Sequence, residues 1–201
     1  NFLAIVINKC LSLACFILKP IFKKDGSVTP GYYASKLNKN ILDDLKFPKY
    51  VIGITGSSGK GSTTSLVAHI LTKSGYKVVW NKNGSNLYNA AITLILNHTN
   101  PFTKKVNADI LLMELDESFI SKIFKKNKLT HLVVTNVTRD QPARNGFPDF
   151  IYEKIASSVD DDTTLIINAD DPIVSRLKLK SENIVTYGID KTKYDIKKPI
   201  S

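Results

Sequence analysis

From residue 50 onward, short apolar runs alternate with longer stretches of mixed polarity. The runs cover 50–55, 77–80, 110–115, 131–136, 163–168 and 183–187, and most are built from Val, Ile and Leu. Between them lie amphipathic stretches near 62–74, 87–98, 117–127, 148–159 and 171–179. Continuous branched apolar runs separated by helical segments predict a parallel sheet covered on both faces. The fold class that follows is α/β, a doubly wound and mainly parallel sheet over 49–201. In such sheets ligands bind at the carboxyl ends of the strands, so the residues ending each run are where chemistry is sought.

Residues 1–48 read instead as a helical leader. The stretch 2–18 is apolar but is interrupted by Asn8 and Lys9. Its length is at the short limit for crossing a bilayer, and a polar pair in the middle would be costly there. Lys19, Pro20, Lys23 and Lys24 follow it, where a signal peptide would carry a small-residue cleavage site. Two readings stay open. The helix packs on the protein or a partner, or residues 2–24 lie in a membrane interface with the basic cluster beside lipid headgroups.

Composition narrows the classes. The 201 residues are 43% hydrophobic and 23% charged, with 10 Gly and 8 Pro, which excludes a disordered or collagenous chain. Two cysteines, Cys10 and Cys15, are too few for a disulfide framework or a four-thiolate zinc site, and a reducing cytosol is the expected compartment. The net charge of +10 is segmental, with no carboxylate between Asp44 and Asp109. Such a gap suits a surface that meets phosphates, anionic lipid or nucleic acid. His69, His98 and His131 show no pairing pattern, and no nucleophile elbow supports Ser-His-Asp hydrolysis.

The first strand ends in Gly53-Ile54-Thr55-Gly56-Ser57-Ser58-Gly59-Lys60-Gly61-Ser62-Thr63-Thr64. A glycine-rich turn between strand and helix points successive backbone N–H groups into a concavity, and the helix N-terminus adds partial positive charge. Lys60 supplies a point charge for phosphates, and a hydroxyl after it can ligate Mg²⁺. The strict P-loop pattern is not met, because position 54 is Ile and position 61 is Gly, but the Gly-x-x-Gly-Lys core remains. The third strand ends in Glu114, Asp116 and Glu117. Glu114 alternates with inward apolar residues and is the preferred magnesium or water ligand, whereas Asp116 and Glu117 equally suit the start of a helix. Asn136, Arg139, Asp140 and Gln141 follow the fourth strand; Asn168, Asp170 and Asp171 follow the fifth, where Asp-Asp-Pro also reads as a helix cap.

Together with Asn81-Lys82-Asn83-Gly84-Ser85-Asn86-Leu87, these motifs resemble, in order, the central ATP-binding domain of Mur ligases, and within that family the MurT subfamily, whose Arg-Asp-Gln replaces a histidine-bearing motif. Residues 29–45 resemble the short leader that MurT proteins carry in place of a sugar-nucleotide domain.

The resemblance implies an ATP-dependent step on the peptide stem of a lipid-linked cell-wall precursor. The α-carboxyl of D-glutamate in lipid II would be phosphorylated, and ammonia from a GatD-like glutaminase subunit would convert the acyl phosphate to an amide. Carried over by position, Gly56, Ser57, Ser58, Gly59, Lys60, Gly61, Ser62 and Thr63 would bind ATP. Lys60 and Glu114 would be catalytic, acting by electrostatic stabilisation of phosphoryl transfer. Glu114, Ser62 and Ser85 would serve Mg²⁺, because Gly61 stands where Mur ligases commonly place Ser or Thr. Asn86, Asn136, Arg139, Asp140 and Gln141 would face substrate or support the site. The Gly-Lys-Gly-Ser run is closer to folylpolyglutamate synthases of the same superfamily. Pro142 to Phe147 replaces a family run, and Lys154 is the nearest counterpart of the lysine that amino-acid-adding members carbamylate. The family's zinc insertion, adenine-contacting motif and carboxy-terminal domain would lie beyond Ser201, so a chain with these bounds is expected to carry the phosphate half of the site and to be inactive alone. The expected location is cytoplasmic, at the inner face of the membrane, with no nucleic-acid partner. Three rivals remain: an amino-acid-adding Mur-type ligase, a Mur-like scaffold without activity, and a basic module binding nucleic acid or membrane, whose affinity would fall steeply with salt.

Overall fold

Six strands form one all-parallel sheet in the order β2-β3-β1-β4-β5-β6, in a computed structural model that describes residues 1–22, 26–82, 86–138 and 147–189. The strands are β1 (Tyr50–Thr55), β2 (Val78–Trp80), β3 (Ile110–Glu114), β4 (His131–Val134), β5 (Thr164–Asn168) and β6 (Ile184–Tyr187). Their Val, Ile and Leu content suits strands buried on both faces, and β3 is buried at every position. The central register pairs Ile54 with Glu114 on one side of β1 and Thr55 with Val134 on the other.

Among the described residues the α-helices are α1 (Phe2–Phe22), α2 (Thr29–Leu37), α3 (Lys60–Lys73), α4 (Tyr88–Asn97), α5 (Ile120–Ile123) and α6 (Pro148–Ala156). They divide unequally between the faces. Ala68 of α3 packs with Ile54, Ile110, Leu112 and Val133 in the smaller core cluster. The larger cluster joins Leu111, Met113, Leu132, Val134, Leu165 and Ile167 to apolar side chains of α4, α5 and α6. This division follows from right-handed crossovers: the chain leaves β1 toward the β2 edge, and every later connection runs the other way. Chain directions therefore part between β1 and β4, the point where parallel sheets open a ligand crevice.

Two predicted helices are reduced. Where the sequence suggested 117–127, only Ile120–Ile123 is α-helical, because the Asp116 carboxylate turns the chain by accepting the Ser118 N–H (2.9 Å), and the buried Ile120, Ile123 and Phe124 are drawn into the core. Where it suggested 171–179, residues Val174–Leu179 form a 3-10 turn capped by Asp171, which accepts from the Ile173 and Val174 N–H groups (both 2.9 Å).

The leader is docked. The Thr93 hydroxyl of α4 accepts from the Gly31 N–H at 2.8 Å, and Asn8 of α1, fully buried, donates to the Asn97 side-chain oxygen at 2.9 Å and the Thr93 carbonyl at 3.3 Å. The polar residue that interrupts the apolar stretch thus faces α4.

Candidate functional site

The glycine loop leaves β1 at the sheet centre and enters α3. Gly56 (φ +130°) and Gly59 (φ +78°) hold conformations that L side chains rarely adopt, and a Cβ on Gly56 would sit 2.3 Å from the Thr135 hydroxyl oxygen. The first backbone bond of the helix is Thr63 N–H to Gly59 C=O (3.0 Å). The N–H groups of Lys60, Gly61 and Ser62 precede it and point out of the helix N-terminus, where the dipole favours an anion.

This loop is held from the neighbouring strand. The Asn136 carbonyl accepts the Ser57 N–H at 2.8 Å, and its side-chain oxygen accepts the Ser58 N–H at 3.0 Å. The Asn136 amide donates to the Ser58 carbonyl at 3.0 Å, and the Thr135 hydroxyl donates to that same carbonyl at 2.8 Å. Ser57 Oγ accepts the Thr138 N–H at 2.9 Å and lies 3.0 Å from the Thr138 carbonyl. Lys60 curls back, donating to the Gly56 carbonyl and, at 3.3 Å, to that of Ser57, which keeps its ammonium at the loop mouth.

Across from the helix start lies Glu114, 8% exposed. A Cβ at Gly61 would stand 3.2 Å from Glu114 Oε2, so the glycine is what lets this carboxylate approach the start of α3. Burial pushes the Glu114 carboxyl above the usual glutamate range, and Lys60 opposes that shift. Its backbone is fixed by Asn81, which accepts the Glu114 N–H at 2.8 Å and donates to its carbonyl at 3.0 Å. Glu117 is also buried and shifted upward by desolvation. The nearby Lys154 ammonium donates to Ser118 Oγ at 2.8 Å and lies 4.3 Å from the Phe150 ring centroid.

Among the described residues, no group of three or more His, Cys, Asp or Glu could hold a metal ion. The buried Glu114 carboxylate beside a hydroxyl-rich loop instead fits a hard cation that takes its remaining oxygens from phosphate and water.

The structure brings together Gly56, Ser57, Ser58, Gly59, Lys60, Gly61, Ser62, Thr63, Glu114 and Asn136. Ser62 is exposed on the first turn of α3, and Asn86 is half-buried just before α4. Ser85, Arg139, Asp140 and Gln141 lie outside the described residues. Asn168 and Asp171 serve the scaffold: the former donates to the Thr135 carbonyl (3.1 Å), and the latter accepts the Val137 N–H (2.9 Å). Sequence reasoning missed the pairing of Asn81 with the Glu114 backbone; a polar residue ending the second apolar run was its only signal.

Fold and site together define a parallel α/β domain with a glycine loop and a helix N-terminus at the switch point of the sheet. The chain belongs to the Mur ligases: residues 54–200 match the Mur ligase middle domain. It is 33% identical over 168 residues to the MurT subunit of lipid II isoglutaminyl synthase (glutamine-hydrolyzing) from Staphylococcus aureus (strain COL), across 83% of this chain and 37% of that protein. The corresponding Streptococcus pneumoniae subunit is 30% identical over 150 residues, across 74% of this chain and 33% of its own length. The chain thus spans about a third of the length of these relatives. The fold is shared with the MurF ligase from Thermotoga maritima in complex with ADP, at TM-score 0.61 and 23% identity over 79% of this chain and 36% of that one.

Proposed function

We propose that this chain is the phosphate-binding part of a MurT-like, ATP-dependent carbon–nitrogen ligase. The observation that carries the reading is the start of α3, with its outward N–H groups and Lys60, set against the buried Glu114 across Gly61. The likeness to two MurT subunits supports the choice of reaction.

In this reading, residues 56–63 receive the β- and γ-phosphates of ATP, the Lys60 ammonium offsets charge on the transferring group, and Glu114 with Ser62 holds Mg²⁺. The cation, when bound, screens the phosphate oxygens and orients them for transfer. The α-carboxylate of D-glutamate in a lipid-linked precursor attacks the γ-phosphorus and releases ADP. Ammonia from a GatD-like glutaminase subunit then attacks the acyl phosphate, expelling inorganic phosphate and leaving the amide. The work is cytoplasmic, at the inner face of the membrane. Asn136 shapes the loop rather than meeting substrate.

Calorimetric titration with a non-hydrolysable ATP analogue and Mg²⁺ tests the site, run beside Lys60→Ala and Glu114→Ala. Magnesium-dependent binding that Lys60→Ala abolishes is the expected result. Binding unaffected by either substitution overturns the assignment. The whole ligase, assayed with glutaminase and lipid-linked substrate, is expected to yield the amide; a product extended by an amino acid overturns the amidation reading and leaves the nucleotide site intact.

A further inference from the structure

Helix α1 is oriented against the rule for a helix of a water-soluble domain, in which the apolar stripe faces the core. Its inner face, packed on α2 and α4, carries Ala4, Ile5 and the fully buried Asn8. The opposite face carries Leu3, Cys10, Leu13 and Ile17, with Phe16 at its margin. Leu3 is 61% exposed, Leu13 61%, Phe16 75% and Ile17 62%. Phe2–Pro20 has a mean hydropathy of 1.9 and is long and apolar enough to cross a membrane, yet only 17% of it is buried. At the amino end the apolar face extends to Phe102, which is 80% exposed and packs against Phe2 in a tilted ring contact with 5.2 Å between centroids. A contiguous exposed apolar face of this kind marks an interaction surface.

Charge indicates what covers it. Helix α1 holds Lys9 and Lys19 and no acid. Lys9, Lys77 and Lys82 all lie close enough to His98, at the end of α4, to hold its imidazole below the usual histidine range, after the larger effect of burial. Lys104 flanks the amino end near Asp44. An apolar strip bordered by lysines matches the headgroup–acyl boundary of an anionic bilayer, where the ammonium groups meet lipid phosphates. A second copy of the chain would instead set lysine against lysine.

We infer that α1 is an in-plane membrane anchor, with the face bearing Leu3, Leu13, Phe16 and Ile17 immersed in the surface of an anionic bilayer. It lies along the surface because its other face is held by α2 and by the hydrogen bonds of Asn8 to α4. The inference uses α1 and the residues beside it and nothing of the glycine loop or Glu114, so its failure would leave the ligase reading untouched.

The test uses the 201-residue chain carrying Cys15→Ala, labelled on the exposed Cys10 with an environment-sensitive thiol dye and mixed with phosphatidylglycerol–phosphatidylcholine vesicles. Co-sedimentation of the unlabelled chain runs in parallel. The expected result is a blue-shifted label, binding at least ~10-fold weaker to pure phosphatidylcholine, and at least ~10-fold weaker still for a Leu13→Ser, Phe16→Ser, Ile17→Ser variant. Leu66→Ser, at an equally exposed site (61%) on α3, should leave binding unchanged. Unaltered thermal unfolding midpoints confirm that both variants fold. Absence of vesicle binding by the wild-type chain overturns the inference, as does equal binding by the triple variant. A label shift that follows protein concentration without vesicles also overturns it, and makes the face a contact between copies.

Discussion

Asn136→Ala separates the shape of the glycine loop from its charge. The substitution keeps the backbone carbonyl that receives Ser57 N–H but removes the side-chain contacts to the Ser58 N–H (3.0 Å), Oγ (3.2 Å) and carbonyl (3.0 Å). Each such bond is worth roughly 0.5–1.5 kcal/mol net, and water reaches this half-exposed residue, so the low end applies and the total is about 1–2 kcal/mol. A nucleotide that binds the released loop must first restore its shape, so affinity should fall by about 5–30-fold. Calorimetry with the Mg²⁺–analogue complex measures the affinity, and urea denaturation measures the stability, which should drop by no more than the same amount. Asn136→Asp retains the acceptor but confronts phosphate with like charge, and should bind more weakly than the alanine variant. Thr135 still holds the Ser58 carbonyl in either variant, so adding Thr135→Ala to Asn136→Ala should cost more than the sum of the two. Affinity within twofold of wild type for Asn136→Ala, while Lys60→Ala abolishes binding, would refute the idea that this clamp preorganises the loop.

Gly59→Ala meets open space and should cost only the left-handed backbone, about 1–2 kcal/mol. Gly56→Ala adds a clash with Thr135 and should cost about 3–5 kcal/mol, with urea denaturation reading both. Glu114 is held above the usual glutamate range, so the native state binds its proton more tightly than the unfolded chain does, and the stabilising contribution is present at low pH and lost as pH rises through the raised value. The thermal midpoint of Glu114→Gln should therefore gain on wild type as pH rises from about 4 to 8, and a constant difference across that range counts against it. Titration of the chain with Mg²⁺ alone should give no heat of binding, since the described residues offer no group of three or more His, Cys, Asp or Glu to hold the ion without phosphate oxygens.

The strands were legible because a parallel sheet buried on both faces demands continuous apolar runs, and 110–113, Ile-Leu-Leu-Met, is one. The glycine loop was legible because its glycines and lysine are contiguous. The shortened α5 was not: its apolar spacing fits a helix, and only the tertiary pull on Ile120, Ile123 and Phe124 limits it. Asn8 read as a defect in an apolar stretch, because its partners Thr93 and Asn97 come 85 and 89 positions later. The separate roles of Asn81 and Asn136 were hidden for the same reason, since periodicity reports which face a residue takes and not which backbone it will meet.

That separation also sets an order of assembly. Ser58 and Ser57 close onto Asn136 and Thr138 across 78 and 81 positions, and those contacts exist only where β4 lies beside β1. A chain emerging from synthesis has β1, the loop and α3 available long before the residues that clamp them. Strand, loop and helix can form early, whereas the anion-ready shape waits for a pairing of high contact order. The cradle is thus a late product of folding, and slowing the addition of β4 would delay the appearance of nucleotide affinity without delaying the helix that carries Lys60.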